Sequence, residues 1–463
     1  MLGNSGKIQG GPGSLGQPRN DTQANLTVYM LAQVMSSSSG HIERASAYNS
    51  SAAWAAPFRA VFDGAPKPTR PLRVLSPCAG LDAPQRAAKE MGLAWESMGD
   101  FDTAMHVKAS LELLAGGDSS KLFISKTRGD VLNVEVCSLP KDTDAVISGH
   151  PCPPFSSIGG RMAEMDSRSC VFVCVCTWIS WLSTHGCLKF FILENVSGIL
   201  SKRKGHAQSF SDWILAGLRD MLPQGWTVSV VTHNDADCLL PQNRSRVFMK
   251  GVGPELQSTR RLRHLCSQPP RSFPRVNLID YLDLALSDDD WFQLTLRQQL
   301  NVTFHLDEFE NKCKADSNED SARKVAIIDA ARDPLRKFES KLVTGKTSTL
   351  RTNSSHLWLI PSPGTQHLLG RRGRFLSSAE KCRCAGILPS SVISMTPLQI
   401  DTAIGNCIPV PLIGTVLFPV VRAWAEFEAS RDAAPTGKGA SDGSADQHPT
   451  GRRRYSCKME PRS

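Results

Sequence analysis

The sequence predicts an α/β protein with a Rossmann-like, doubly wound and mostly parallel sheet, together with a smaller inserted domain. From Leu72 onwards, short apolar runs alternate with helical patterns, which is typical of parallel strands joined by helices. The clearest predicted strands are residues 73–76, 144–148, 190–193 and 227–231. After Gly253 the alternation stops, and a sequence richer in arginine and proline continues to about Gly370. This change in composition predicts an insertion.

Length and composition allow one large domain and one smaller domain. The chain has 463 residues, of which 41% are hydrophobic, so it can bury a sizeable core. Fourteen cysteines, several of them in apolar stretches, indicate reduced thiols in an intracellular compartment and not a disulfide framework. The longest apolar stretch, at about 170–182, is too short to span a bilayer, so we expect a soluble protein without membrane contact. A net charge of +9 is compatible with a polyanionic partner.

Composition divides the chain into five predicted segments. Residues 1–70 are rich in Gly, Ser, Asn and Ala, end in a proline-rich linker, and are expected to be a disordered extension. The main domain is expected at 71–253, the inserted domain at 254–370, and a return to the main domain at 371–430. Residues 431–463 are expected to form a disordered tail that contains a cluster of three arginines at 452–454.

Three blocks place a cysteine, a carboxylate and two guanidiniums next to predicted strands. Cys152 follows the strand at 144–148, and Glu194 directly follows an apolar run. Arg244 and Arg246 alternate along a third strand, so their side chains face the same way. A lone buried cysteine is usually inert. A thiolate that adds to C6 of a cytosine, however, makes C5 nucleophilic, and a protonated carboxyl near N3 with an arginine near O2 would stabilise the adduct.

In this order the blocks resemble those of the C5-cytosine-specific DNA methyltransferase family, from about residue 72 to about residue 420. The resemblance implies a class I fold, S-adenosyl-L-methionine as methyl donor, and double-stranded DNA as partner, with the target cytosine flipped out of the duplex. It implies that Cys152 is the nucleophile, that Glu194 is the acid, and that Arg244 and Arg246 hold the base and the catalytic loop. Pro153 stands where the family usually has glutamine.

The resemblance also implies a donor pocket. Residues 78–82 resemble the family's Phe-x-Gly-x-Gly loop, except that Asp82 replaces the second glycine. By the same resemblance, Asp100 holds the ribose, Phe101 packs on the adenine, and Asp130 takes the adenine amino group. The remaining expected donor contacts are Cys78, Ala79, Gly80, Leu81, Val131, Pro151, Val171 and Asn406.

The inserted region at 254–370 is expected to be the target recognition domain. Five arginines of this region suit contacts with DNA phosphates: Arg260, Arg261, Arg263, Arg271 and Arg275. Four later residues could reach the edges of the bases: Lys346, Thr347, Ser348 and Arg351. Glu380 and Arg383 match the family block that supports this domain. We expect no metal site, because the closely spaced cysteines lack the partner pairs of a zinc site.

Two alternatives stay open. The first is a tRNA cytosine-5 methyltransferase of the same fold, which residues 155–160 and 166–168 faintly resemble, although residues 241–246 have the DNA-type form. The second is a catalytically inactive DNA-binding relative, which Asp82 favours and the presence of both Cys152 and Glu194 disfavours. Protein partners stay open. We expect the nucleus as the compartment if the source is eukaryotic, and otherwise the cytoplasm or nucleoid.

Overall fold

The strands of the computed structural model form two sheets. The model describes residues 53–152, 168–202, 207–269, 271–283, 289–316, 324–332 and 341–432. Its strands are β1 (Leu72–Pro77), β2 (Trp95–Asp102), β3 (Leu122–Ile124), β4 (Ala145–Ser148), β5 (Phe190–Val196), β6 (Thr227–Asn234), β7 (Ser245–Val252), β8 (Val325–Asp329), β9 (Val343–Thr344), β10 (Leu357–Pro361) and β11 (Arg374–Phe375).

Eleven α-helices accompany these strands in the described residues, with short 3₁₀ turns between them. They are α1 (Ala55–Phe62), α2 (Ala83–Glu90), α3 (Lys108–Leu114), α4 (Ser169–His185), α5 (Phe210–Met221), α6 (Arg260–Ser267), α7 (Leu296–Ala315), α8 (Gln366–Leu369), α9 (Ser378–Cys384), α10 (Pro397–Asn406) and α11 (Val410–Asp432). Capping boxes begin α5, α7, α9 and α10, where a Ser or Thr side chain and an acid or amide three residues later satisfy free backbone N–H groups.

The first seven strands form one sheet in the order β3-β2-β1-β4-β5-β7-β6. Strands β1 to β5 are parallel, and β7 is antiparallel to both of its neighbours. The predicted doubly wound, mostly parallel sheet is therefore confirmed. Because β7 runs the opposite way, its amino end lies at the same edge as the carboxyl ends of β1, β4 and β5. Ligands of such folds bind at this edge.

Helices cover both faces of this sheet. On one face α4 and α5 bury apolar side chains such as Val175, Ile179 and Leu218. On the other face α11, the last helix of the described residues, packs against α2 and α6. The helical stretch Pro397–Arg431 has the length and apolarity of a membrane span, but 83% of its most apolar window is buried. It packs as core, and the prediction that the longest apolar stretch lies at about 170–182 was wrong.

Ordered structure begins earlier than the linker at 66–71 suggested. Helix α1 lies inside the segment that was expected to be disordered, and Phe58 and Phe62 are buried in the main core. Phe62 contacts Phe418 of α11, with ring centroids 4.4 Å apart. Phe58 and Phe62 lie one helical turn apart in the short apolar run at 53–62, and together they form the apolar face of α1. Residues 1–52 and 433–463 lie outside the described residues, so disorder there stays a prediction.

The insertion carries a second sheet in the order β11-β10-β8-β9, with antiparallel pairing. Helix α7 packs on it and contributes Val302 and Phe309 to a separate small core. Its strands and α7 lie between Leu296 and Phe375, and the domain bounds of 254–370 stay a prediction. Helix α6 buries Leu262 and Leu265 against the main domain, and β11 extends the sheet past residue 370. The amphipathic α6 joins the larger core because α11 offers it an apolar surface.

The burial of α1 predicts a large effect of Phe58→Ala on stability. Phe58 is fully buried, so its removal leaves a cavity, and we expect the free energy of unfolding to fall by about 3–5 kcal/mol. Phe292→Ala is the matched control because Phe292 is 82% exposed, and its effect should stay within about 0.5 kcal/mol. Urea unfolding followed by tryptophan fluorescence measures both. Equal stability of the two variants would show that α1 is not part of the core.

Candidate active site

Cys152 lies just beyond the carboxyl end of β4. Gly149, His150 and Pro151 lead from the strand to the half-buried thiol. Burial raises the pKa of Cys152, and the carboxylate of Glu194 raises it further, whereas Arg246 and Arg244 lower it. The thiol is therefore protonated near neutral pH in this state, and the guanidiniums favour its ionisation. Pro153 and the rest of the predicted catalytic loop lie outside the described residues.

Glu194 is a buried acid near the carboxyl end of β5. Arg246 Nε donates to Glu194 Oε1 at 2.7 Å, and each of the two side chains is only 9% exposed. Burial raises the pKa of Glu194, and the two nearby arginines partly oppose this shift. A Cβ atom on Gly149 would lie 3.6 Å from Glu194 Oε2, so the carboxyl contacts the segment that leads to Cys152. The predicted grouping of cysteine, acid and arginine is present in the structure.

The two arginines have different surroundings. Arg246 faces Glu194, whereas Arg244 donates to the carbonyl oxygens of Ile404, Gly405 and Cys407 at 3.2, 3.1 and 2.7 Å. Arg244 thus ties the start of β7 to the end of α10. These hydrogen bonds join segments at least 160 residues apart in sequence, and the role of Arg244 toward the base and the catalytic loop stays a prediction.

Three further buried residues support the site, and sequence reasoning gave them no role. Asn195 Nδ2 lies 2.7 Å from His150 Nε2, which joins the loop before Cys152 to the end of β5. Burial lowers the pKa of His150 to about 3, so this ring is neutral. Burial likewise raises the pKa of Asp235 to about 7, with Arg244 and Arg246 opposing. His150 and Asn195 directly adjoin the blocks that contain Cys152 and Glu194, whereas Asp235 lies between the predicted strand at 227–231 and the block at 241–246.

A cleft lies beside this group, at the carboxyl ends of β1 and β4. It is lined by Ser76, Cys78, Ala79, Gly80, Asp82, Ala83, Pro84, Ile147, Gly149, Asn406, Cys407 and Ile408. The loop turns sharply because Cys78, Gly80 and Asp82 all have left-handed backbone conformations. Four of the predicted donor contacts, Cys78, Ala79, Gly80 and Asn406, line this cleft, whereas Leu81 is buried in the core beneath it.

The other predicted donor residues surround the cleft without lining it. Asp100 is buried on β2 beside Ser76 of β1, and burial raises its pKa to about 6. Phe101 stacks on Phe123 with centroids 4.6 Å apart, so one face of its ring is covered. Asp130 accepts a hydrogen bond from Leu132 N at 3.0 Å. Neighbouring Val131 is buried, and Pro151 and Val171 are half-buried.

Asp102 belongs to the block that contains Asp100 and Phe101, but the sequence gave it no separate role. Its carboxylate accepts from Gly80 N at 2.8 Å and from Ala104 N at 2.7 Å. It therefore fixes the loop that forms one wall of the cleft.

The insertion is joined to β7 through residues 345–350. Asn243 N donates to the carbonyl of Thr347 at 3.1 Å, and Leu350 N donates to Gln242 Oε1 at 2.9 Å. Thr347 is fully buried in this contact, so the expectation that it reaches a base edge is corrected. Lys346, Ser348 and Arg351 are half-buried nearby.

The predicted phosphate contacts lie outside the second sheet. Arg260, Arg261 and Arg263 are exposed on α6 of the main domain, and Arg261 pairs with Glu426 at 2.6 Å. Arg271 and Arg275 are exposed in the segment that follows α6.

Glu380 and Arg383 form ion pairs with residues at the two ends of the insertion. Glu380 pairs with Arg374 of β11 at 2.6 Å, and Arg383 pairs with Asp283 at 2.7 Å. Within the described ranges, no group of three or more His, Cys, Asp and Glu side chains is arranged to hold a metal ion.

Residues 119–419 match the family described as C-5 cytosine-specific DNA methylase. The chain belongs to this family. The match spans the thiol, acid and arginine blocks in the order in which the fold brings them together, so the resemblance predicted from the sequence is confirmed. Among solved structures, the methyltransferase EhMeth of Entamoeba histolytica has a TM-score of 0.50 at 12% identity, over 76% of this chain and 98% of that chain. At this identity the likeness shows the fold alone.

Several curated proteins are similar to parts of the chain. Type II methyltransferase M.FnuDI of Fusobacterium nucleatum is 25% identical over 297 residues, which are 62% of this chain and 78% of the relative. Orphan methyltransferase M.SPRI of Bacillus phage SPR is 27% identical over 190 residues, 40% of this chain and 38% of the relative. Type II methyltransferase M.DdeI of Desulfomicrobium norvegicum is 36% identical over 129 residues, 28% of each chain. The chain thus spans between a quarter and two fifths of the last two relatives.

The charges around Cys152 predict the effect of Arg246→Gln on thiol ionisation. Arg246 lowers the pKa of Cys152, so its loss should raise that pKa and slow alkylation by iodoacetamide roughly tenfold at about pH 8. Mass spectrometry of the Cys152 peptide over a pH series measures the change. Arg263→Gln, which removes an exposed charge on α6, is the control and should leave the profile unchanged. Superimposable profiles for Arg246→Gln and the native protein would contradict the assigned electrostatics.

Proposed function

We propose that the protein transfers a methyl group from S-adenosylmethionine to C5 of a cytosine in double-stranded DNA, through a transient bond between Cys152 Sγ and cytosine C6. The observation that carries the proposal is the convergence of Cys152, Glu194 and Arg246 at one edge of the sheet. The family match supports the same reaction. A cytosine inside a duplex is inaccessible to this group of residues, so it must rotate out of the stack first.

The cleft beside Cys152 fits the donor. Asp82 Oδ2 is buried in its wall and has no hydrogen-bond partner among the described residues, and Asp100 is buried next to it, where the hydroxyls of Ser97 and Ser76 lower its pKa against the effect of burial. Buried polar atoms of this kind normally have a partner, so a ligand with several N–H and O–H donors suits the site. Ser76 and Asp100 would take the ribose hydroxyls, and the loop at 78–80 and Asn406 would enclose the rest. When bound, the donor supplies an electrophilic methyl group.

The protonation of Glu194 couples the acid to the nucleophile. A negative Glu194 raises the pKa of Cys152, so a protonated Glu194 favours the thiolate. The thiolate forms the Sγ–C6 bond, and the displaced electron pair is accommodated on the ring while Glu194 gives its proton to N3. Arg246 lies beside Glu194, where it can stabilise charge near O2. C5 then takes the methyl group and loses its proton to solvent, the Sγ–C6 bond breaks and releases the thiolate, and N3 returns its proton to Glu194.

The second sheet and its loops would bind the DNA around the flipped base. They connect to β7 through the contacts of Gln242 and Asn243 with residues 347–350. Because β7 also carries Arg246, a duplex held by the insertion would lie close to the catalytic group. This arrangement supports target recognition as the role of the insertion. The protein would act where cellular DNA is found, which is the nucleus in a eukaryotic cell.

The proposal predicts cysteine-dependent transfer of labelled methyl groups to DNA. We expect incorporation from S-adenosylmethionine into unmethylated or hemimethylated duplex, and a loss of about a hundredfold or more in Cys152→Ser because its hydroxyl is a far weaker nucleophile. Cys187→Ser is the matched control, since Cys187 is exposed, lies outside the cleft and should tolerate the change.

The nucleic acid that is labelled decides between the alternatives. Label in total tRNA alone would assign the protein to the RNA branch. An absence of label in any nucleic acid, despite donor binding, would support the inactive relative. Equal transfer by Cys152→Ser and the native protein would exclude the thiol mechanism.

A further inference from the structure

Asp82 is a buried acid in the wall of the donor cleft. It occupies the position where the resembled loop has its second glycine, and it precedes α2 with a left-handed φ of 45°. Its side chain is fully buried, and Oδ1 accepts a long hydrogen bond from Gln85 N at 3.4 Å. The other oxygen, Oδ2, has no partner among the described residues. A carboxylate in this situation lacks the partner that buried charged groups normally have.

Neighbouring groups do not supply that partner. Arg86 lies one turn further along α2, but its guanidinium donates to the carbonyl of Leu81 and to Ser110 Oγ, each at 2.7 Å. Asp100 is a second buried acid nearby, and burial together with repulsion from Asp100 raises the pKa of Asp82 well above its ordinary value. The thiols of Cys78 and Cys407 also line the cleft, and burial raises the pKa of both, so they stay neutral. Arg86 is the cation that acts on Asp82 and lowers its pKa, but among the described residues no hydrogen bond joins its guanidinium to Asp82 Oδ2.

We propose that Asp82 binds the α-ammonium group in the methionine portion of the donor. This inference rests on the proposed function. The donor carries two cationic centres, an ammonium and a sulfonium, and only the ammonium has N–H groups that can satisfy Oδ2. Charge-assisted hydrogen bonds of this type are short and strong. The ribose hydroxyls have separate acceptors in Asp100 and Ser76, which leaves Asp82 for the amino-acid end.

The replacement of glycine by aspartate then adds a ligand contact. A glycine at this position would tolerate the left-handed backbone equally well but would offer no charge. Asp82 gives this chain an ionic contact with the amino-acid part of its donor. On this account the departure from the family pattern is compatible with catalysis, and the inactive relative loses its main support.

The variant Asp82→Asn tests this assignment with little risk to the fold. Asparagine tolerates left-handed φ values, and its amide oxygen can still accept from Gln85 N at the start of α2. Two probes separate the parts of the donor: S-adenosylhomocysteine has the amino-acid portion, and 5′-methylthioadenosine lacks it. Calorimetry on the full chain should show binding of S-adenosylhomocysteine weakened by roughly tenfold or more, and binding of 5′-methylthioadenosine unchanged within about twofold.

The outcomes separate this inference from the proposed function. If the binding of both probes is weakened equally, Asp82 serves the adenosine part of the donor or the fold. If the binding of both probes is unchanged, Asp82 contacts neither probe. Each of these results overturns the inference and leaves the methyltransferase proposal standing. If the native protein binds neither probe, the proposed function fails as well. Asp118→Asn is the control, because Asp118 is an exposed turn residue outside the cleft, and it should bind both probes normally.

Discussion

The buried ion pair between Glu194 and Arg246 is the interaction on which the rest of the site depends. Charges removed from water are costly unless each is paired, and breaking one partner of such a pair is more costly still. The antiparallel register of β5 and β7 forms this pair, because it places Arg246 opposite Val196 and therefore beside Glu194. The charges of the pair also act on the pKa of Cys152, which Glu194 raises and Arg246 lowers. A change in this register would separate the acid, the arginine and the thiol together.

The surrounding fold holds this pair in place from three directions. His150 and Asn195 join the end of β4 to the end of β5, which fixes the approach to Cys152. Arg244 binds the carbonyls at the end of α10, so the last described helices close the donor cleft. Gln242, three residues before β7, accepts a hydrogen bond from Leu350 N of the insertion. Donor site, catalytic group and insertion therefore meet at the beginning of β7.

The sequence predicted what depends on contiguous blocks. The strands at 144–148 and 190–193, and the grouping of Cys152 with Glu194, follow from short patterns that are complete in themselves. Interactions between distant segments left no such pattern. The guanidinium of Arg244 meets carbonyls near residue 405, and Thr347 is buried against residues 241–243 because the chain folds back there. Helix α1 was missed because its short apolar run at 53–62 directly follows a long segment rich in Gly, Ser and Asn, and α11 supplies an apolar surface on which it packs.

The most direct measurement is covalent trapping on a duplex that contains 5-fluorocytosine. Fluorine at C5 cannot leave as a proton, so a bond between Cys152 and C6 that is followed by methyl transfer should persist. The account predicts a donor-dependent protein–DNA adduct that survives denaturation and maps by peptide mass spectrometry to Cys152. Methylation of ordinary cytosine without any adduct on the fluorinated duplex, or an adduct at a different cysteine, would contradict it.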